Sequence, residues 1–196
     1  MADRVPISGN RDVHAVRDGP EEARSIVVAC PPHPQMGGSR ADSRLTAVAD
    51  ALAEHSIATL RFDYGPWDEG VGEVRDAVAA CRWAHERYDR VGLFGYSFGG
   101  GVAILAAREA EPDVLSVLAP AATVGNSDAV TAVADSEMPL QVLVGERDET
   151  VEWKRVVEAA RERGATVERV GGDHFFTGQR SRIAETVASW LATEMA

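Results

Sequence analysis

Short, nearly continuous apolar runs alternate along this chain with longer segments whose apolar positions recur every three or four residues. Runs of the first kind read as strands buried on both faces, and segments of the second as helices that cover them. Residues 4–18 predict one or two short edge strands, with Asp18-Gly19-Pro20 as a turn. The run Ser25-Ile26-Val27-Val28-Ala29-Cys30 predicts a buried strand, followed by a Pro/Gly loop at 31–38. Leu45, Val48, Ala49 and Leu52 give 41–55 a helical spacing; 57–62 is the next strand and 63–70 a loop rich in Gly, Pro and Asp.

The alternation continues to the end of the chain. A helix is expected at 71–87, a strand at 90–95 and a helix at 98–109, then strands at 114–119 and 140–144. A helix at 151–163, a strand at 166–170 and a helix at 179–194 complete it. Between 119 and 140 there is room for one short helix at most, so no lid domain is expected. The pattern predicts a single α/β domain over 1–196, a doubly wound, mostly parallel sheet of about seven strands. Ligands of such sheets bind beyond the carboxyl ends of the strands.

Composition narrows the class. With 45% hydrophobic residues the chain is suited to a folded core, and no apolar stretch approaches the ~20 residues of a membrane span. The start, Met1 to Pro6, lacks the basic-then-apolar pattern of a signal peptide, so a cytoplasmic location is expected. Cys30 and Cys81 read as small buried residues; a disulfide between them is open but unusual in a reducing compartment. No Cys/His spacing suggests a metal site. There are 31 acidic residues against 20 basic ones, a formal charge of −11, and Lys154 is the only lysine. Such a surface repels nucleic-acid phosphates and anionic lipids. Two origins fit the acid excess: a hydrated surface adapted to salt, or a genome that favours arginine codons over lysine codons.

The chemistry concentrates after strand ends. Gly95-Tyr96-Ser97-Phe98-Gly99 is a G-x-S-x-G pentapeptide between a predicted buried strand and a predicted helix. That is the strand–turn–helix setting of a nucleophile elbow, which lifts the serine hydroxyl above the sheet. A glycine-rich phosphate loop is the competing reading, but it has no matching lysine. A serine nucleophile needs a base. Of five histidines, His14, His55 and His85 fall on predicted surface positions and His33 in the 31–38 loop. His174, in Gly171-Gly172-Asp173-His174-Phe175-Phe176, stands just after the last strand, where the order Ser…Asp…His puts the base. The acid should follow the preceding strand, where Glu146, Asp148 and Glu149 compete. Spacing from Gly145 favours Asp148, with a helix N-cap as its alternative role. Asp173 reads as a loop-structuring residue.

An oxyanion hole needs two backbone N–H groups, one after the nucleophile and one from the loop after the early strand. The first falls to Phe98. In Pro31-Pro32-His33-Pro34-Gln35-Met36-Gly37-Gly38 the prolines cannot donate, so the second falls to Gln35 or Met36, with His33 bracing the loop. Trp67, Tyr96 and Phe175 are candidates to wall the pocket, with ordinary packing as the alternative for each.

The order and spacing of Ser97, Asp148 and His174 resemble the α/β-hydrolase superfamily. More narrowly, His33-Pro34-Gln35-Met36-Gly37-Gly38, Gly95-Tyr96-Ser97-Phe98-Gly99-Gly100 and Asp173-His174-Phe175-Phe176 resemble the small, lidless hydrolases related to dienelactone hydrolase, over about residues 24–192. The resemblance implies an esterase-like enzyme that needs no cofactor or metal and whose partner is a small acyl substrate. It departs in two places. Members named for dienelactone use cysteine where Ser97 stands, and relatives often carry Arg-Gly-x-Gly-x-Ser where this chain reads Asp63 to Gly70. Thioesterase, amidase and acyltransferase activity on the same three residues, or a ligand-binding protein without catalysis, are the alternatives. The sequence does not bear on oligomeric state.

Overall fold

The computed structural model describes residues 3–7, 11 and 13–196. Positions 8–10 and 12 of the predicted 4–18 stretch, and Met1 and Ala2 of the start, lie outside the described residues. Eight strands form one sheet: β1 (Asp3–Ile7), β2 (Val13–Asp18), β3 (Ser25–Cys30), β4 (Ala58–Asp63), β5 (Arg90–Tyr96), β6 (Val114–Leu118), β9 (Leu140–Gly145) and β10 (Thr166–Val170). Their spatial order is β1-β2-β4-β3-β5-β6-β9-β10. The β1–β2 and β2–β4 pairs are antiparallel; every later pair is parallel. The expected seven strands become eight because 4–18 folds as two.

Side chains along the central strands alternate between two cores, as the period of a strand requires. Ile26, Val28 and Cys30 point to one face of β3, Val27 and Ala29 to the other. The first face is covered by α2 (Val71–His85), α3 (Phe98–Ala110), α4 (Ala129–Ala134) and α5 (Lys154–Glu162). The second is covered by α1 (Ser43–Glu54) and α6 (Arg180–Glu194). Burial on both faces is why the strands read as continuous apolar runs and not as alternating ones. At Gly92 in β5 a Cβ would stand 3.0 Å from Met195 Sδ, so its absence lets the end of α6 close down.

Helix starts follow local chemistry. The Asp42 carboxylate accepts from Arg44 N–H at 2.8 Å and opens α1. The expected helix at 151–163 begins only at Lys154, because the Asp148 carboxylate takes the Thr150 N–H (2.8 Å) and Val151 N–H (3.3 Å) in a preceding turn. Between β6 and β9 the chain forms a two-stranded ribbon, β7 (Thr123–Val124) with β8 (Ser127–Asp128), and then the short α4. The short helix was expected there and the ribbon was not. No described helix is long and apolar enough to cross a membrane. Cys30 and Cys81 are both buried free thiols. Burial pushes both up, Cys81 to about 12.

Candidate active site

The junction of β5 and α3 is a tight turn whose neighbours leave no room for side chains. A Cβ at Gly95 would lie 2.1 Å from Gly99 O, and one at Gly99 would lie 2.3 Å from both Cys30 O and Pro31 O. Between them Ser97 adopts φ +58° and ψ −123°, outside the regions that L residues favour. Four backbone bonds fix it there. Ser97 N–H donates to Leu118 O (2.9 Å), and Ser97 O accepts from Gly100, Gly101 and Ala121 N–H (2.9, 3.3 and 3.1 Å). Residues 91–96 and 98–100 are buried, while Ser97 is partly exposed.

The loop after β10 and the turn after β9 meet over this serine. Gly145 permits the approach, since a Cβ there would stand 2.6 Å from Asp173 O and 2.7 Å from Gly172 O. Arg147 N–H then donates to Gly172 O (2.9 Å), and Tyr96 OH to His174 O (3.1 Å). As a result Ser97 Oγ lies 2.9 Å from His174 Nε2, and His174 Nδ1 lies 2.7 Å from Asp148 Oδ2. His174 and Asp148 are buried, at 4% and 7% exposure. Because a carboxylate only accepts, Nδ1 carries the proton and Nε2 is left to accept from the serine hydroxyl. The second oxygen of Asp148 is occupied by the Thr150 and Val151 N–H groups, and Trp153 Nε1–H donates to Asp148 O at 3.0 Å.

The competing residues lie elsewhere. His14, His55 and His85 are exposed, the last with Nε2 3.0 Å from Ala110 O. Glu146 and Glu149 are exposed too. Asp173 accepts from Thr177 N–H and Oγ1, and these bonds hold its carboxyl below the usual range. Tyr96 forms a floor under His174, with ring centroids 5.4 Å apart and the Arg44 guanidinium 4.5 Å from its ring. Burial pushes its phenol well up, so it stays a neutral donor. Phe175 meets the His174 ring edge-on at 5.4 Å and is 55% exposed.

On the other side of Ser97, His33 lies between Trp67 and Phe98, at ring distances of 4.7 and 4.6 Å. Its Nδ1 is buried with no hydrogen-bond partner among the described residues. Met36 N–H, one of the two expected donors, is committed to His33 O at 3.0 Å within a single 3₁₀ turn over Pro34–Met36. Phe98, His33 and Gln35 N–H have no acceptor among the described residues. Sequence alone does not single out the His33 N–H, because which N–H groups stay uncommitted depends on how the loop closes. A groove of about 450 Å³ near Leu115, Met138 and Leu140 lies at the opposite end of the sheet and holds no histidine or cysteine. Among the described residues no group of acidic, His or Cys side chains could hold a metal ion.

Known proteins agree with this architecture. An α/β serine hydrolase without a lid from Xanthomonas campestris is 27% identical, with a TM-score of 0.86 over 99% of this chain and 95% of that one. An α/β serine hydrolase homologue from Coxiella burnetii is also 27% identical, with a TM-score of 0.83 over 96% and 97%. An uncharacterized protein of Rickettsia prowazekii is 24% identical over 188 residues, covering 86% of this chain and 79% of its own. These likenesses identify a lidless α/β-hydrolase fold. The dienelactone hydrolase family model matches residues 49–188, a span that includes the serine, acid and histidine loops, and this chain belongs to that family of hydrolases.

Proposed function

We propose that this protein is a serine hydrolase that cleaves carboxylic esters through an acyl-enzyme. One observation carries the reading: an unbroken chain of contacts, Ser97 Oγ to His174 Nε2 at 2.9 Å and His174 Nδ1 to Asp148 Oδ2 at 2.7 Å, at the carboxyl end of the sheet. His174 takes the hydroxyl proton while Oγ attacks the acyl carbon, and buried Asp148 stabilises the imidazolium that forms. The tetrahedral oxyanion is held by Phe98 N–H and a second N–H from the 31–38 loop. His33 and Gln35 are the uncommitted donors there, and His33 is the nearer in sequence to Pro31, whose carbonyl abuts Gly99 of the elbow. His174 then protonates the departing alcohol, and water repeats the sequence on the acyl-enzyme.

The chain between β6 and β9 offers a ribbon and one short helix, so the site is open. An open site suits short or soluble esters more than long lipids. A fluorophosphonate should label Ser97 in the folded protein. Ser97→Ala and His174→Ala should each lower p-nitrophenyl butyrate turnover by at least about 10³-fold, with circular dichroism unchanged. Full activity in either variant overturns the assignment. Thioester and amide analogues assayed beside the ester, with a competing alcohol, establish which acyl transfer dominates.

A further inference from the structure

Large apolar side chains exposed to solvent are few among the described residues. Met36 and Trp67 lie on the loops after β3 and β4, Val71 opens α2, and Phe175 follows His174. Phe175 stands against His174, and Trp67 on the Phe98 side of the serine. On that side Trp67 lies 5.8 Å from the Phe98 ring and 4.7 Å from His33, while Tyr64 meets Phe98 edge-on at 6.0 Å. The result is an aromatic wall next to the residue that follows Ser97. Trp67 nevertheless stays 36% exposed, so part of its ring is uncovered.

The loop that carries Trp67 is tied down by buried charge. Glu73 and Asp76 on α2 are 0% and 2% exposed. Glu73 accepts from Asp68 N–H (3.0 Å) and Gly70 N–H (2.8 Å); Asp76 accepts from Gly65 N–H (2.9 Å). Arg11, between β1 and β2, completes the arrangement. Its Nε donates to Asp76 at 2.7 Å, Nη2 donates to Pro66 O and lies 3.7 Å from Glu73, and Nη1 lies 3.7 Å from Asp68. On the far side, a Cβ at Gly70 would meet Val124 Cγ1 at 2.5 Å, so the loop also rests on the β7–β8 ribbon. A polar loop with Trp at its tip is thus fixed from both sides. Fixing a half-exposed aromatic in this way lowers the ordering cost of binding a flat apolar group. Arg11 already faces three carboxylates, so it offers no free positive charge to an anionic substituent.

Building on the ester-cleaving reading, we propose that Trp67 and His33 form an aryl-binding surface, that Arg11 is its positioning residue, and that the preferred acyl groups carry an uncharged aromatic ring. The test compares p-nitrophenyl 3-phenylpropanoate with p-nitrophenyl butyrate, which share a leaving group and an unbranched carbon beside the carbonyl. The wild-type protein should favour the aryl ester in kcat/KM by about tenfold, or about 1.4 kcal/mol. Trp67→Ala should bring the ratio close to one, and Trp67→Phe should keep most of it. Arg11→Lys, which retains the charge but loses the planar fork, should lower the ratio partway, chiefly through KM for the aryl ester. A wild-type ratio near one, or a ratio unchanged in folded Trp67→Ala, overturns the inference and leaves the esterase reading standing. Should Trp67→Ala not fold, the same ratio in Trp67→Leu decides. If neither ester is turned over and Ser97 resists the fluorophosphonate, the esterase reading itself falls, and the inference with it.

Discussion

Ser97 holds a backbone conformation that costs free energy, on the order of 1–3 kcal/mol for a residue with a Cβ. The surrounding bonds to Leu118, Gly100, Gly101 and Ala121 over-determine it. Replacing this serine with glycine removes the strain at a smaller entropic cost in the unfolded chain. Ser97→Gly is therefore expected to raise Tm by about 2–4 °C for a chain of this size while losing ester turnover, as a thermal melt and a p-nitrophenyl butyrate assay would show. A lowered Tm would mean that the positive φ is unstrained. The elbow was legible from sequence because its whole signal is local: two glycines, a serine between them, a strand before and a helix after. The commitment of Met36 N–H to His33 O was not legible, because the 3₁₀ turn that consumes it depends on how the loop closes.

At the scale of elements, two devices shape the site: the meeting of the β9 and β10 loops at Gly145, and the Arg11 clamp on the loop after β4. The clamp has a pH signature. Burial is the largest influence on Asp76 and raises its carboxyl, while the Arg11 contact and the Gly65 N–H pull it down. An acid whose folded value lies above its unfolded one is protonated more readily in the folded state. Its contribution is full below the unfolded value and is lost as pH rises through the folded one. Arg11→Met removes the cation that favours the ionised form, so the loss should deepen at higher pH. Urea unfolding should show Arg11→Met destabilised by about 2–4 kcal/mol at pH 8 and by clearly less near pH 4. An equal difference at both pH values would show that Arg11 acts through packing alone. Sequence patterning found α2 and the loop, yet Arg11 stands 65 residues from Asp76, and only the placement of β2 beside β4 brings the two together.

Across the whole molecule, a charge of −11 works against compactness. The surface ion pairs do little to offset it: Arg24 and Asp89, for example, are 85% and 60% exposed, a setting where such pairs contribute little. Raising salt from about 0.01 M to about 0.15 M shortens the Debye length from about 30 Å to about 8 Å and weakens the self-repulsion. Scanning calorimetry should show Tm rising by about 2–4 °C over that range. A fall would mean that attractive surface pairs outweigh the net repulsion. A far steeper dependence, with structure lost at low salt, would favour salt adaptation over codon preference as the origin of the acidic surface.

The sequence by itself determined the layered α/β plan, the tight turn at Ser97 and the chain order of Ser97, Asp148 and His174 after strand ends. Each of these is written in short-range periodicity, or in residues that must follow a strand end. Tertiary structure alone decided the rest. It closed Gly145 against the His174 loop, spent Met36 N–H inside the first loop, formed the small ribbon after β6 and set Arg11 among the carboxylates of α2. The Gly145 and Arg11 contacts join segments far apart in the chain, and their free energy depends on which strands become neighbours in the sheet. The loop turn and the ribbon are local, but how they close depends on what packs against them.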